Sequence, residues 1–314
     1  MVKILCLGEM PGWLVADLTT AGHLAVTEPQ PDVAAVIRRA GKVDRALMDR
    51  LPRLEMISNF GVGYDLVDAE EALRRGIAVG YTPEVLNDEV ADLTVGLLLA
   101  TLRQIPQGNR HLLSGLWPAG HYPLTPTLRG RTIGLIGMGR IGSRIARRLS
   151  GFDVPVVYHS RGPRPETGLR HYPDLLAMAR DVDTLIAILP GGPGTRHIID
   201  RRVLAALGPE GVVINVARGS VLDEEALIEA LAGGTILAAG LDVFENEPSP
   251  DPRLLTLPNS LATPHLGSGT HHTRRLMWDL VRDNLLAWFS GRDMPAAIPG
   301  SARRSRPPPG KASA

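Results

Sequence analysis

The feature that most constrains the fold is a glycine-rich turn between a predicted strand and a predicted helix. The apolar run Thr132–Ile136 leads into Gly137-Met138-Gly139-Arg140-Ile141-Gly142, and the pattern of Ser143–Leu149 is helical. Glycines at this spacing permit a tight turn and let the backbone approach a pyrophosphate, which then lies at the positive end of the helix. The turn therefore predicts a βαβ unit that binds a dinucleotide.

The first hundred residues contain four short apolar runs that are predicted strands: Ile4–Leu7, Ala34–Ile37, Met56–Asn59 and Ala78–Gly80. Pro106 is expected to stop the long helix 88–104, and the stretch 107–129 after it is expected to be an irregular connecting arm.

Short apolar runs alternate with helical patterns along the rest of the chain. This alternation predicts an α/β fold with parallel sheets, and 314 residues exceed what one core usually holds. We expect two Rossmann-like or flavodoxin-like domains, with a dinucleotide-binding domain (99–286) inserted in a substrate domain (1–98 and 287–314). The Arg- and Pro-rich tail from about residue 301 is expected to be disordered.

Charge and composition exclude several classes of partner. The formal net charge is +1, with no basic stripe of the kind that binds nucleic acid. The most apolar stretch, Leu93–Leu102, is too short to cross a bilayer, and we find no signal-peptide pattern. The single cysteine, Cys6, lies in an apolar strand-like run, which fits a reducing compartment. We expect a cytoplasmic protein whose partner is a small molecule.

The residues after the next predicted strand, Val154–His159, bear on the choice of cofactor. Sites that prefer NAD usually place Asp or Glu here, whereas this strand ends at Ser160 and Arg161. A carboxylate close to the 2′-phosphate of NADP would repel it by roughly 1–4 kcal/mol per pair of unit charges. A guanidinium instead binds phosphate in a bidentate manner. The sequence favours NADP(H), with NAD(H) as the alternative.

Three polar residues follow strand-like runs in the second half of the chain: Arg218, Glu247 and His265. Open α/β sheets bind their ligands at the carboxyl ends of the strands. Reduction of a 2-keto acid by hydride needs a cation for the carboxylate and carbonyl. It also needs an acid for the developing alkoxide, and a histidine kept charged by a carboxylate supplies it. Arg218, His265 and Glu247 match these three roles in this order, and we expect no bound metal.

Together these motifs resemble the D-isomer-specific 2-hydroxyacid dehydrogenase family, and within it the glyoxylate/hydroxypyruvate reductase branch. The resemblance spans residues 50–295, whereas the first fifty residues fit only by pattern. It is carried by seven stretches: Asn59–Asp65, Arg75–Val79, Thr82–Asp92, Gly137–Gly142, Asn215–Gly219, Gly240–Phe244 and Thr263–Ser268.

The resemblance implies NADPH-dependent reduction of glyoxylate and hydroxypyruvate to D-2-hydroxy acids. It also implies a homodimer, because the long predicted helix (88–104) and the arm 105–129 are similar to the family's dimerisation elements. The implied substrate-binding residues are Phe60, Val62, Gly63, Arg218, His265 and Arg274. The implied cofactor-binding residues are Gly137, Gly139, Arg140, Ile141, Gly142, Ser160, Arg161, Pro190, Thr195, Val216, Ala217, Asp242, His265 and Gly267.

Two departures narrow the substrate class. Phe60 stands where phosphoglycerate dehydrogenases carry a basic residue, so the far end of the substrate is expected to be uncharged. Glu247 stands where formate dehydrogenases carry glutamine, which argues against formate. Two alternatives stay open: a dehydrogenase for bulkier keto acids such as phenylpyruvate, which differs by pocket size, and a non-catalytic dinucleotide-sensing scaffold. The intact set Arg218, Glu247 and His265 argues against the scaffold.

Overall fold

The structure is a computed structural model that describes residues 1–301, and it divides into two compact units. The terminal unit combines Met1–Leu86 with the chain from His271 onward, and the central unit is Asn87–Thr270. The central unit interrupts the terminal unit in the chain, and the boundaries of the two units lie 12 and 16 residues before the expected domain boundaries. The tail beyond residue 301, which we expected to be disordered, lies outside the described residues.

The terminal unit has a five-stranded sheet in the order β2-β1-β3-β4-β5, with every strand pair parallel. This is the flavodoxin-like strand order. Its elements are β1 (Val2–Leu7), α1 (Gly12–Thr20), β2 (His23–Val26), β3 (Val33–Arg38), α2 (Arg45–Asp49), β4 (Met56–Asn59), α3 (Ala69–Arg74), β5 (Ala78–Gly80) and, from the end of the chain, α11 (His271–Phe289).

The central unit has a seven-stranded parallel sheet in the order β12-β11-β10-β9-β6-β7-β8. Its elements are α4 (Asn87–Leu102), α5 (Ile105–Leu113), β6 (Ile133–Ile136), α6 (Arg140–Leu149), β7 (Val156–His159), β8 (Arg170–Tyr172), α7 (Leu175–Asp181), β9 (Thr184–Ala187), α8 (Arg201–Leu207), β10 (Val212–Asn215), α9 (Glu224–Ala232), β11 (Ala238–Leu241), α10 (Pro252–Thr256) and β12 (Ser260–Ala262).

Helices cover both faces of the central sheet, which explains why its strands are apolar without alternation. In β9, Leu185 and Ala187 face one buried cluster with α7, α8 and α9, while Ile186 faces the other with α4 and α6. Counted from β6, the strand order is 3-2-1-4-5-6-7, which is the Rossmann order with one added strand. The order in which strands are added to the sheet therefore reverses between β6 and β9. Open α/β sheets bind their ligands at such a reversal. The predicted fold class is confirmed.

The packing of two helices explains why the boundaries of the units lie earlier than the expected domain boundaries. Helix α4, which we had divided between the domains, packs on α6 and β11, and its Asp88 pairs with Arg144 at 2.9 Å and with Arg148 at 3.0 Å. Helix α11 packs on β4 of the terminal unit, where Ser58 Oγ donates to the carbonyl of Val281 at 3.3 Å. Each helix therefore belongs wholly to one unit.

Aspartates start many of the helices. In six of them, the carboxylate of the residue before the helix accepts a backbone N–H of the first turn, which satisfies a donor that the helix itself leaves unpaired. These caps are Asp44, Asp68, Asp174, Asp200, Asp223 and Asp251.

The arm 105–129 is more regular than the sequence indicated. We expected an irregular segment after a stop at Pro106, but α5 runs from Ile105 to Leu113 with that proline in its first turn. Proline is tolerated there because the first helical N–H groups have no partner within the helix. The break between α4 and α5 falls at Gln104, whose φ of 49° is left-handed. No residue of α5 is buried, so this helix is not a core element, whereas Leu128 near the end of the arm is buried in the core of the central unit.

Within residues 1–301, no helix has both the length and the apolar character needed to span a bilayer.

A buried asparagine fastens the end of the chain to the terminal sheet. Asn284 on α11 is fully buried, its Nδ2 donates to the carbonyl of Tyr81 at 3.3 Å, and its Oδ1 accepts from the amide of Ala296 at 3.0 Å. We expect Asn284→Ala to lower the free energy of unfolding by about 2–3 kcal/mol, because it leaves two buried backbone groups unpaired.

Urea unfolding followed by tryptophan fluorescence measures this, since Trp13, Trp278 and Trp288 lie in the terminal unit. The neighbouring Asp283→Asn, which removes only a partly exposed ion pair with Arg282, is the control and should cost less than about 1 kcal/mol. Equal losses for the two variants would contradict the role of Asn284.

Candidate active site

The candidate site of the central unit lies at the carboxyl ends of three neighbouring strands. The sheet register pairs the last residue of β11, Leu241, with Asn215 at the end of β10 and with Ala262 at the end of β12. The three strands therefore end level with one another. The loops that follow them carry the predicted catalytic residues: Arg218, Glu247 and His265.

Asn215 shapes the turn that presents Arg218. Its side-chain amide donates to the carbonyl of Arg218 at 3.0 Å, and its Oδ1 accepts from the amide of Ala217 at 3.1 Å. The guanidinium of Arg218 is partly exposed, and its Nη1 donates to the carbonyl of Ala217 at 2.7 Å. The cation is thus held, partly exposed, at the edge of the sheet.

His265 and Glu247 are in direct contact. Nδ1 of His265 lies 2.7 Å from Oε2 of Glu247, and both side chains are partly exposed. Burial acts to raise the pKa of Glu247, but the hydrogen bond and charge of His265, the amide of Phe244 and the charge of Arg218 outweigh it. The pKa of Glu247 therefore lies below its ordinary value. An ionised carboxylate accepts from Nδ1–H and leaves Nε2 of His265 for a ligand.

A buried aspartate holds the turn that carries His265. Asp242 is 1% exposed, and its Oδ1 accepts from the amide of Leu266 and the hydroxyl of Thr263, both at 2.7 Å. Its Oδ2 accepts from the amide of Gly267 at 2.9 Å. We expected Asp242 to bind a nicotinamide carboxamide, and that role stays a prediction. The structure adds a role within the protein, because these bonds fix the backbone on the C-terminal side of His265.

The glycine turn packs as the motif requires. Gly137 has a φ of 110°, and a Cβ there would lie 2.3 Å from the carbonyl oxygen of Ile188. A Cβ at Gly142 would lie 2.4 Å from the carbonyl oxygen of Gly137, so α6 approaches the turn too closely for any side chain. At Gly139, by contrast, the space within 4 Å of a built Cβ is open.

Helix α6 also begins differently from the aspartate-capped helices. Its N-cap is Gly139, which has no side chain to accept the backbone N–H groups of the first turn. The backbone N–H groups that a helix directs out of its first turn, the positive end of the helix dipole and the open space at Gly139 together fit a pyrophosphate. The residues present therefore fit the dinucleotide that the sequence predicted.

Other predicted cofactor residues lie on adjacent loops of the same unit. Ser160 and Arg161 follow β7, which ends beside the glycine turn, since the amide of Gly137 donates to the carbonyl of His159 at 2.9 Å. Arg161 is exposed, and no carboxylate among residues 1–301 pairs with it. The structure therefore leaves its cation available beside the open end of α6.

A second loop, after β9, runs from Pro190 to Thr195. The hydroxyl of Thr195 donates to the carbonyl of Pro190 at 2.8 Å, which closes the loop on itself. A Cβ built at Gly191 would lie 3.0 Å from Cγ of Arg218, so the loop runs against the stem of that arginine. The remaining predicted cofactor residues, Val216 and Ala217, are buried on the turn between β10 and Arg218.

The terminal unit brings together a different subset of the predicted residues. Phe60 directly follows β4, stacks on Trp278 of α11 with ring centroids 4.0 Å apart, and lies 5.3 Å below the guanidinium carbon of Arg274. Burial lowers the pKa of Arg274, and the charge of Arg39 adds to the effect. No carboxylate among residues 1–301 pairs with Arg274.

The loop after Phe60 is also well ordered. The amide of Gly61 donates to the hydroxyl of Thr82 at 3.0 Å, and the side-chain amide of Asn59 donates to the carbonyls of Gly61 and Gly63 at 3.1 and 3.0 Å. Neither the amide of Val62 nor that of Gly63 takes part in these bonds. These bonds hold the backbone of the loop, and the binding of a carboxylate by its amides stays a prediction.

The sequence reasoning missed Asn215 and Glu224. The carboxylate of Glu224 is almost fully buried and accepts from the amide of Glu245 at 2.7 Å, which anchors the loop that carries Glu247. Burial raises the pKa of Glu224. Asn215 is the last residue of an apolar strand, and Glu224 begins an aspartate-capped helix. Both residue types are common at such positions, so the sequence carries no signal of their roles in the site.

Two further findings concern metals and thiols. Among residues 1–301, no group of three or more His, Cys, Asp and Glu side chains is arranged to hold a metal ion. Cys6 is buried in β1, and burial raises the pKa of its thiol to about 11. The thiol therefore stays protonated at neutral pH and has no reactive character.

The chain is similar in sequence and fold to known reductases. A hydroxyphenylpyruvate reductase of Plectranthus scutellarioides is 45% identical over 251 residues, which is 80% of each chain. A glyoxylate/hydroxypyruvate reductase of Arabidopsis thaliana is 43% identical over 83% of this chain and 84% of its own. The crystal structure of an NADPH-dependent glyoxylate/hydroxypyruvate reductase of Sinorhizobium meliloti, in complex with NADP and malonate, has a TM-score of 0.92 at 46% identity, covering 97% of this chain and 99% of that one.

The family is settled by a direct match. The sequence model of the NAD binding domain of D-isomer specific 2-hydroxyacid dehydrogenases matches residues 95–267, which include the glycine turn, Arg218, Glu247 and His265. The family that the motifs resembled is thereby confirmed. The chain belongs to the D-isomer-specific 2-hydroxyacid dehydrogenase family.

Proposed function

We propose that the protein is an NADPH-dependent reductase that converts small 2-keto acids, such as glyoxylate and hydroxypyruvate, to D-2-hydroxy acids. The observation that carries the proposal is the 2.7 Å contact of His265 with Glu247 at the ligand-binding edge of a Rossmann sheet. Arg218 lies at the same edge, after the strand adjacent to the one that Glu247 follows. The names of the Arabidopsis and Sinorhizobium relatives support the same reaction.

Each of the three residues has one task. Arg218 binds the substrate carboxylate and polarises the keto oxygen with its remaining N–H groups. His265, with Nδ1–H donated to Glu247, gives the proton on Nε2 to the oxygen as the carbonyl is reduced. Glu247 stays ionised because its pKa is lowered, and it stabilises the imidazolium before the proton is given. When bound, the reduced nicotinamide supplies the hydride.

The cofactor is proposed to lie along the central unit. The amides at the start of α6, beside Gly139, would hold the pyrophosphate, and Arg161 would hold the 2′-phosphate. Asp242 and Thr195 would contact the nicotinamide half. The Sinorhizobium relative, whose crystal structure contains NADP, supports NADP(H), and NAD(H) is the alternative.

A substrate-binding role is also proposed for four residues of the terminal unit. The amides of Val62 and Gly63 would bind the carboxylate, and Phe60 and Arg274 would meet the far end of the substrate. Phe60 stacks on the buried Trp278, and this contact restricts the movement of its ring.

A second candidate substrate class has one observation in its favour. The Plectranthus relative, 45% identical, is named for hydroxyphenylpyruvate, a bulky aromatic keto acid. The same catalytic residues would serve that substrate, and only the pocket would differ.

We also propose a homodimer in the cytoplasm. Six large apolar side chains of the arm are at least half exposed, which is expected of a surface that a second copy covers: Ile105, Leu112, Leu113, Leu116, Trp117 and Leu124. Light scattering that gives twice the 33.7 kDa of one chain would support the dimer, and a mass of one chain would overturn it. The buried, protonated thiol of Cys6 fits a reducing compartment.

The first test is a rate measurement at 340 nm with NADPH and NADH on glyoxylate, hydroxypyruvate, pyruvate and phenylpyruvate. We expect the highest kcat/KM with NADPH and the two small polar acids. A preference for phenylpyruvate would move the protein to the second substrate class. No turnover with any of the four would reject the enzyme and favour a dinucleotide-sensing scaffold.

The same assay on Arg161→Asp tests the phosphate site. The new carboxylate repels the 2′-phosphate, so the ratio of kcat/KM for NADPH to that for NADH should fall by about tenfold or more. Arg180→Asp, on the helix after β8, makes the same charge change away from the turn and should leave the ratio unchanged. If the two variants behave alike, Arg161 does not bind the phosphate.

Removal of the acid tests the mechanism. His265→Ala should lower kcat by about 10²–10⁴, the usual contribution of a general acid. Glu247→Gln removes the anion that stabilises the imidazolium and should lower kcat by roughly 10-fold or more. Glu245→Gln, two residues earlier in the same loop, leaves the contact with His265 intact and should stay within about threefold of wild type. Wild-type turnover in His265→Ala would refute the assignment.

A further inference from the structure

The loop between β7 and β8 is held in place by side chains of the two strands. Its first part runs from Ser160 to Arg164 and carries two exposed guanidinium groups, those of Arg161 and Arg164. Within it, the hydroxyl of Ser160 donates to the carbonyl of Gly162 at 2.7 Å. Among residues 1–301, the guanidinium of Arg164 pairs only with Glu166, at the long distance of 3.9 Å, which leaves it available for another anion.

A buried tyrosine fixes the far end of this loop. Tyr158 of β7 is 1% exposed, and its hydroxyl accepts the backbone N–H of Arg164 at 2.5 Å. The ring cannot move, because it is packed in the apolar cluster under α6. Through this bond a core side chain sets the position at which the backbone of Arg164 leaves the turn.

A histidine of the neighbouring strand fixes the near end. His171 of β8 is paired with Tyr158 in the sheet, and the two rings lie 5.1 Å apart. Nε2 of His171 lies 3.0 Å from the carbonyl of Ser160, and since a carbonyl only accepts, Nε2 carries the hydrogen. The two ends of the loop are thus fixed by two adjacent side chains of one strand pair.

We propose that Tyr158 and His171 are positioning residues for NADP(H) selectivity. They hold the backbone of the Ser160–Arg164 loop in one shape, so that Arg161 and Arg164 are arranged for the 2′-phosphate before it binds. A loop that is already ordered loses less conformational entropy on binding, and that difference appears as affinity. NAD lacks the phosphate and gains nothing from the two cations. The inference rests on the proposed preference for NADP(H).

Equilibrium binding separates this role from a general effect on the fold. Isothermal titration calorimetry gives the Kd of NADP⁺ and of NAD⁺ for wild type and for Tyr158→Phe, which removes only the hydroxyl. We expect the Kd of NADP⁺ to rise roughly threefold to tenfold, the effect of losing one neutral hydrogen bond, while the Kd of NAD⁺ stays the same.

Tyr172→Phe is the matched control. Tyr172 lies on β8 beside His171 and is similarly buried, but its hydroxyl donates to Asp181 at 2.8 Å and has no contact with the loop. The same atom is removed from the same strand pair. Neither Kd should change in this variant.

A second pair of variants keeps the test independent of Tyr158. His171→Leu removes the donor to Ser160 and should weaken NADP⁺ alone. His171→Gln places an amide N–H within reach of the same carbonyl and should restore most of the affinity. Should Tyr158→Phe fail to fold, which its thermal unfolding curve would reveal, this pair carries the test.

The outcomes are distinct. Unchanged binding of NADP⁺ in both Tyr158→Phe and His171→Leu, or equal weakening of NADP⁺ and NAD⁺, overturns the inference. If wild type shows no preference for NADP⁺ over NAD⁺, the proposed cofactor fails first, whatever the variants do. A preference in wild type that is lost in Arg161→Asp but kept in both positioning variants rejects only the role of Tyr158 and His171.

Discussion

A single buried carboxylate determines the geometry of the proton-transfer residues. Asp242 receives three hydrogen bonds from the chain around His265, two of them from backbone amides. These bonds matter because the φ of His265 is 51°, a left-handed conformation that is unfavourable for a residue with a side chain. The imidazole direction therefore depends on Asp242, and the contact with Glu247 depends on that direction. Without the buried carboxylate of Asp242, the left-handed turn at His265 would relax and the imidazole would lose its orientation.

The level ends of the parallel strands provide the other constraint. Because β10, β11 and β12 are adjacent and in register, short loops of different lengths suffice to place a guanidinium, a carboxylate and an imidazole at one edge. The glycine turn stands at the end of β6, on the far side of β9, where the order of the sheet reverses. The same sheet thus fixes both the place of the chemistry and the place of the dinucleotide, and neither requires a long loop.

Local sequence patterns were sufficient to predict the central strands and the motifs. They were insufficient for features that depend on contacts between residues distant in sequence. The bounds of β4 and β5 follow from short apolar runs, and the turn at Gly137 follows from its spacing. Strand β2 was not predicted, because an edge strand of four half-exposed residues has no clear pattern. Helix α5 was read as irregular because proline was weighed as a stop, although it is tolerated in a first turn. The bonds from Asp242 to residues 21 to 25 positions later, and the position of Arg274 over Phe60, depend on the fold and leave no trace in local sequence.

The two-part origin of the terminal unit has a consequence for synthesis on the ribosome. The central unit is continuous, so it can complete its core as soon as residue 270 has emerged. The terminal unit lacks α11 until then, and with it the partner of Ser58 and the hydrogen bonds that Asn284 makes. Its first 86 residues must wait, with the part of their sheet at β4 that α11 covers still exposed, while about twice as many residues are made. The nascent chain therefore has an interval in which chaperone binding to β1–β5 would be most effective, and that interval closes only when the last helix docks.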